Sequence, residues 1–322
     1  MKKHIYLFVA LATLLLASCK NEDIDISREV SFEVNPYEVI NDFVNNEVNQ
    51  GDLEDIASGY RVRVNLFVYD AYGYLKDSEV EYLSGYRETM NANFDLPDGN
   101  YTVVATTDIV KYNGSVSLEF WNFSGMEKLT TLKIKDAGYL GLTSKILGIG
   151  HKNITVKSGQ TVCHVPMKPA GSLVISQIWD INHFNFVEVY NLLSNRGSES
   201  FSFNNDGSYN SSYEEVPFYT WYVYRFHPSN YTSYGGYGYQ FLAYQGETHF
   251  MWEAEAGGES IELSDDMSLN IKEGKTYQFT IDLDQMVYYY GEVEGSKAIV
   301  HSPNGKTITR SSNQDAMESS KK

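Results

Sequence analysis

Residues 62–75 read Val62-Arg63-Val64-Asn65-Leu66-Phe67-Val68-Tyr69-Asp70-Ala71-Tyr72-Gly73-Tyr74-Leu75. Apolar and polar residues alternate at first, then the run becomes apolar on both faces. A period of two marks a strand, and a two-sided apolar run marks one covered on both sides. Asp70 to Gly73 then supplies a turn. A second such passage is Leu96-Pro97-Asp98-Gly99-Asn100-Tyr101-Thr102-Val103-Val104-Ala105. Proline presets φ, Asp-Gly tolerates the left-handed region, and the β-branched run that follows is expected to close a hairpin with Asn93–Leu96. Working outward, Arg28–Val34, Thr130–Lys135, Ile154–Val156, Val162–Met167 and Leu173–Ile178 extend the list of strands. No long stretch keeps an i, i+3, i+4, i+7 spacing; Val39–Ile56 is the best helical candidate and reads equally as a loop. The expected fold is all-β, in antiparallel sandwiches.

An internal echo points to two domains. Ile154-Thr155-Val156-Lys157-Ser158-Gly159-Gln160-Thr161-Val162 matches Leu269-Asn270-Ile271-Lys272-Glu273-Gly274-Lys275-Thr276-Tyr277 at an offset of 115 residues. Each is read as a strand, a Lys-x-Gly turn and a threonine opening the return strand of a hairpin. Pro169-Ala170-Gly171 makes a boundary, so residues 28–170 and 171–301 are expected to be two sandwiches. Residues 302–322 are nearly free of apolar side chains and are expected to be a disordered tail.

The start of the chain is an address. Lys2 and Lys3 precede an apolar run from Ile5 to Ala17, the order of a secretory signal. That run is too short to span a bilayer, which takes about 20 residues. Leu16-Ala17-Ser18-Cys19 then resembles the bacterial lipoprotein signal, which implies removal of residues 1–18 and acylation of Cys19. Several acyl chains make anchoring durable, at about 0.8 kcal/mol for each buried CH₂. Residues 19–27 form a tether; its acidic start, Lys20-Asn21-Glu22-Asp23-Ile24-Asp25, resembles the export tag of surface lipoproteins of the Bacteroides group and suits a plain solvated linker equally. Cys163 is then the remaining thiol, expected as a small buried hydrophobe.

Composition excludes more than it selects. Lys and Arg number 25 against 42 Asp and Glu, a net charge of −17 that repels phosphate backbones, so no nucleic-acid partner is expected. Of seven histidines no two lie within five residues, so no metal pair is expected. There is no CxxC and no G-x-S-x-G. Gly148-Ile149-Gly150 lacks the third glycine of a phosphate cradle, and Phe203-Asn204-Asn205-Asp206-Gly207 reads as a hairpin turn, not a calcium loop. No catalytic residue, cofactor or enzymatic activity is expected. One feature is unusual: fifteen of the 40 residues from Tyr213 to Trp252 are aromatic. They read either as a tyrosine-rich core with a glycine-rich loop or as a recognition surface, on which Trp221, Tyr231, Tyr234, Tyr237 and Trp252 would contact glycans or a protein partner.

Val62–Leu75 and Leu96–Thr107 together resemble the N-terminal domain of Bacteroides-type fimbrial subunits, in particular the FimB-type minor or anchor lipoproteins and the wider fimbrillin-like group. The shared pattern is V-x-V-x-x-F-V-Y-D with a D-x-x-G-x-L turn, then L-P-x-G-x-Y-T-V-V-A. The resemblance implies two tandem transthyretin-like sandwiches, a lipid anchor in the outer membrane through Cys19, exposure at the cell surface or on a fimbrium, and adhesion. The partners it implies are other fimbrial subunits, or a host or bacterial surface protein, joined by strand exchange. It also implies a cleavage after an arginine in polymerising subunits, for which Arg28, Arg61 and Arg63 all qualify. The polar tail makes a poor donor strand, which fits an anchor or tip subunit. The second reading, from a different class, is a surface glycan-binding lipoprotein that uses the aromatic belt of residues 213–252.

Overall fold

A computed structural model describes residues 27–44, 56–137, 145–157, 161–179, 188–194, 199–213, 222–226, 231–232, 235–243, 245–256, 259–262, 267–282, 287–294, 297–301 and 307–311. Among them the chain is all-β, with one short α-helix. In chain order the first half contains β1 (Ser27–Val34), α1 (Tyr37–Val44), β2 (Tyr60–Asp70), β3 (Leu75–Leu83), β4 (Met90–Pro97), β5 (Gly99–Tyr112), β6 (Val116–Glu119), β7 (Trp121–Ser124), β8 (Lys133–Asp136), β9 (Gly148–Val156), β10 (Thr161–Val165) and β11 (Met167–Pro169). The second half contains β12 (Ser172–Trp179), β13 (Glu188–Ser194), β14 (Glu199–Phe203), β15 (Tyr209–Tyr213), β16 (Tyr222–Phe226), β17 (Tyr231–Thr232), β18 (Gly235–Leu242), β19 (Gly246–Ala256), β20 (Glu259–Glu262), β21 (Met267–Ile271), β22 (Thr276–Asp282), β23 (Val287–Glu294), β24 (Lys297–His301) and β25 (Thr307–Ser311).

The first half pairs a three-stranded sheet, β10-β1-β4, with a six-stranded one, β11-β9-β5-β2-β3 plus β6. Alternation on β1 buries Val30, Phe32 and Val34, and alternation on β4 buries Met90, Ala92, Phe94 and Leu96. Phe32 and Phe94 meet at 5.6 Å between ring centroids. On β2 and β5 the interior is buried on both faces, as the two-sided apolar run predicts. These side chains join one continuous core. Helix α1 starts after Asn35-Pro36, where Asn35 Oδ1 accepts the Tyr37 N–H at 3.1 Å. It buries Val39, Ile40 and Phe43 in the same core. Gly148 makes that docking possible: a Cβ there would lie 2.3 Å from Val39 Cγ2 and 2.6 Å from Thr107 Cγ2. The glycines of Gly148-Ile149-Gly150 therefore admit close packing within a strand.

Several expected local structures turn out differently. Pro97-Asp98-Gly99-Asn100 does not close a hairpin. β4 pairs with β1, and β5 pairs with β2 and β9, so this turn is an arch from one sheet to the other. Both echo segments behave the same way. β9 lies beside β5, while β10 runs parallel to β1 with Thr161 opposite Val30. β21 lies beside β19, while β22 runs parallel to β12 with Thr276 opposite Leu173. The matching threonines thus open the strand that flanks the leading strand of each half. β1 and β12 also share an antiparallel neighbour on the other side, β4 and β18. Among the described residues two of the five sheets are therefore mixed, each through one parallel pair. Parallel neighbours need long crossover connections, and period-two patterns carry no sign of them.

In the second half, β17-β18-β12-β22-β23-β24-β25 form seven strands and β16-β13-β19-β20, with β21 beside β19, form five. Tyr237-Gly238-Tyr239 belongs to strand β18, not to a loop, because its backbone pairs with Gln177, Ser176 and Ile175 of β12. Within the expected disordered tail, Thr307–Ser311 pairs with β24; two threonines and an isoleucine suffice for β propensity there. Among the described residues no helix is long and apolar enough to cross a membrane.

Candidate functional site

A four-stranded sheet, β15-β14-β8-β7, draws two strands from each half of the chain. Its pairing begins with Ser200 opposite Lys135 and Phe201 opposite Ile134. Phe203-Asn204-Asn205-Asp206-Gly207 is the hairpin turn expected from sequence. Asp206 Oδ1 accepts the Ser208 N–H at 3.0 Å and the Ser208 hydroxyl at 2.6 Å, which holds its carboxyl below the usual carboxylate range. Gly207 adopts φ +85°, and a Cβ there would stand 2.9 Å from Thr102 Cγ2 and 3.0 Å from His151 Cβ. Asn153 Nδ2 donates to the Asp206 carbonyl at 3.2 Å. The tip of a second-half hairpin is therefore seated on β5 and β9. Its other side reaches back: Tyr209 donates its hydroxyl proton to Glu273 Oε1 at 2.7 Å, and Glu273 sits in the turn between β21 and β22.

Under this sheet lies a charge cluster. Arg63 projects from β2 and grips the fully buried Asp108 of β5 with two bonds, Nε to Oδ1 at 2.8 Å and Nη2 to Oδ2 at 2.7 Å. The guanidinium also bonds Glu119 and donates to the Trp121 carbonyl at 3.1 Å, with its carbon 4.8 Å from the Phe123 ring centroid. Burial pushes the Asp108 carboxyl up to about 6, against the pull of Arg63. Burial works against the Arg63 charge as well, but Asp108 and Glu119 hold its affinity for the proton above the ordinary value. Alongside, Trp121 Nε1 donates to the Lys145 carbonyl at 2.9 Å, and Lys145 Nζ stands 2.8 Å from Asp136 Oδ2, both side chains buried. Each buried charge here has a partner of opposite sign. Such a cluster fixes register and orientation and offers no free base or nucleophile.

Of the residues singled out from sequence, Cys19, Trp221 and Tyr234 lie outside the described residues. Tyr231 is in β17 and Tyr237 in β18, both of the seven-stranded sheet, whereas Trp252 is in β19 of the five-stranded sheet, opposite Asn191. The backbone thus divides the aromatic belt among three sheets, since Tyr213 ends β15 of a four-stranded sheet. Arg28 pairs with Asp98 at 2.9 Å. Arg63 lies inside β2 between β3 and β5, and Arg61, near the start of β2, is paired with Val110 of β5. Cys163 is buried, as expected, and burial raises its thiol pKa. Sequence reasoning missed Tyr72 and Tyr74, which stand 81% and 54% exposed in the turn after β2. The available signal was a tyrosine on each side of Gly73.

No family model and no curated protein matches the chain. Among solved structures it is similar to a candidate polysaccharide-binding protein from Bacteroides thetaiotaomicron, at 15% identity and a TM-score of 0.47, over 89% of this chain and 99% of that one. It is similar to the fimbrial anchor protein Mfa2 from Porphyromonas gingivalis at 12% identity and a TM-score of 0.45, over 88% and 99% of the two chains. A fimbrial assembly protein from Parabacteroides distasonis is similar at 11% identity and a TM-score of 0.43, again over 88% and 99%.

Proposed function

We propose that the chain is an outer-membrane lipoprotein, held through Cys19, that serves as an anchor, minor or tip subunit of a surface fimbrium and acts in cell adhesion by contact and not by turnover. Residues 28–170 and 171–301 are read as two tandem transthyretin-like sandwiches. The observation that carries the reading is the N-terminal order of Lys2-Lys3, the apolar run and Leu16-Ala17-Ser18-Cys19, followed by the strand-and-turn motifs at 62–75 and 96–105.

Strand exchange is the assembly mode this reading favours. β1 lies between β4 and β10, so a chain lacking β1 would leave two facing strand edges unpaired. Cleavage after Arg61 or Arg63 would release β1, yet Arg61 is paired with β5 and Arg63 with both β3 and β5. A protease needs an extended, accessible segment, so either cut would have to come before β2 pairs with its neighbours, and a cut after Arg28 would fall inside β1. A chain that loses β1 would accept a strand from another subunit and one that keeps it suits a terminal position, with other fimbrial subunits or a surface protein as partners.

The test is fractionation of cells that make the full chain. Cys19→Ala should move the protein from the outer membrane to the soluble fraction, and unboiled wild-type extracts should run as high-molecular-weight ladders. Attachment that survives the substitution would overturn the anchor, and purely monomeric extracts would overturn the fimbrial role.

A further inference from the structure

The turn after β2 presents two tyrosines on a rigid frame. Asp70 Oδ1 accepts the N–H groups of Tyr72 and Tyr74, each at 2.9 Å. The Asp70 N–H donates to the Tyr74 carbonyl at 2.9 Å and the Gly73 N–H to the Asp70 carbonyl at 2.8 Å, with Gly73 at φ +79°. A second turn is stitched to the first: the Leu75 N–H donates to the Glu127 carbonyl at 3.0 Å and the Leu129 N–H to the Gly73 carbonyl at 2.8 Å. That second turn exposes Met126 and places Lys128 Nζ 5.2 Å from the Tyr74 ring centroid. It is itself fixed, since Gly125 adopts φ +65° and Thr131 Oγ1 donates to the Gly125 carbonyl at 2.8 Å. The hairpin tip of the second half completes the rim. Asn205 is exposed there, with Oδ1 3.9 Å from where a Gly73 Cβ would stand.

Two exposed rings and one exposed methionine on two joined turns offer a small apolar area. At about 150–250 Å² for a whole aromatic side chain, two partly exposed tyrosines fall well short of the roughly 800 Å² each partner gives to a stable protein interface. A patch of that size fits one sugar ring, whose C–H face stacks on tyrosine while its hydroxyls take up neighbouring polar groups. The rim mixes Glu127 and Asp206 with Lys128 on a chain of net charge −17, which disfavours an anionic ligand. We propose that Tyr72 and Tyr74 form a stacking platform for a neutral hexose unit of a polysaccharide, with the Asn205 amide as a polar contact. The site is complete in the folded chain and needs neither the lipid nor a fimbrial partner.

The test is affinity electrophoresis of the soluble Cys19→Ala chain in gels containing mannan, dextran, laminarin or arabinogalactan. At least one polymer should retard it. Tyr72→Ala with Tyr74→Ala should weaken that binding at least tenfold and Asn205→Ala about threefold, while Tyr72→Phe with Tyr74→Phe retains it; the melting temperature should hold, since these side chains are exposed. No retardation by any polymer, or retardation that the double alanine variant keeps, would overturn the platform. So would a concentration-dependent dimer in sedimentation that the double variant abolishes, because the patch would then seat a second copy of the chain. If Cys19→Ala stays attached to membranes, sugar binding by the detergent-extracted chain would preserve the platform and refute the anchor.

Discussion

The ring of Phe201 meets Trp121 edge to face, with centroids 5.9 Å apart and planes at 63°. One residue comes from the second half of the chain and the other from the first, and both are buried. Phe201 also touches Tyr209 edge to face at 5.7 Å, so its ring joins the hairpin to the core beneath it. Truncating a buried phenylalanine costs about 3–5 kcal/mol, the lost transfer energy plus a cavity. Phe201→Ala should therefore lower the urea midpoint by that equivalent. A loss below about 1 kcal/mol would mean that the site collapses around the gap and that the hairpin is not a core element.

Gly207 tests the same docking from the tip. Its φ of +85° suits glycine, and a Cβ would press on Thr102 and His151. Gly207→Ala thus combines an unfavourable backbone conformation with overpacking, the latter costing about 1–3 kcal/mol. Faster hydrogen exchange of residues 199–213, with exchange in β1 and β4 unchanged, is the expected outcome. Uniform acceleration across the first half would show that the hairpin supports that whole core.

How legible was this architecture? β1, β2 and β4 could be read from period-two patterning, because each buries one face or both against the same core. The turn at Asp70–Leu75 was legible because its mechanism is local: one carboxylate and one glycine. What each strand lies beside was not. Pro97-Asp98-Gly99 looks like a hairpin turn and serves as an arch, since the choice of neighbour is made by packing between sheets and not within the turn. The echo at an offset of 115 residues takes another local form than expected: Thr161 and Thr276 each open a strand parallel to β1 or β12, and neither closes a hairpin. The charge cluster was invisible for the same reason. Arg63 and Asp108 are 45 residues apart, and nothing in either neighbourhood announces the other. Of the belt residues proposed as a contact surface, Tyr231 and Tyr237 share a sheet, whereas Trp252 belongs to another.

Cys163 gives a simple probe of the β10 edge. Its thiol is buried beside Phe32 in the parallel register, and burial raises its pKa, so little reactive thiolate is present. In the soluble Cys19→Ala chain, Ellman's reagent should find almost no thiol in buffer and one per chain in denaturant. Prompt native reaction would mean that β10 separates readily from β1.

The Arg63–Asp108 pair predicts an unusual pH response. Arg63→Met removes the guanidinium and leaves Asp108 fully buried without it. Breaking a buried pair in this way costs about 3–5 kcal/mol where the remaining partner is charged. In the intact protein burial already pushes Asp108 up to about 6 against the pull of Arg63. Without Arg63 the same burial acts with less opposition, so the carboxyl shifts further upward. A carboxyl whose folded pKa exceeds its unfolded value of about 3.9 binds more protons when folded across the interval between them. Its stability contribution therefore falls as pH rises through that interval and is restored on acidification. Arg63→Met should accordingly show its full loss of stability near pH 8 and a distinctly smaller one near pH 5, where the lone carboxyl is neutral. Urea midpoints of both proteins at the two pH values decide the matter: an equal deficit at each would mean that Asp108 finds another cation or water in the variant, and that the cluster is less enclosed than its burial implies.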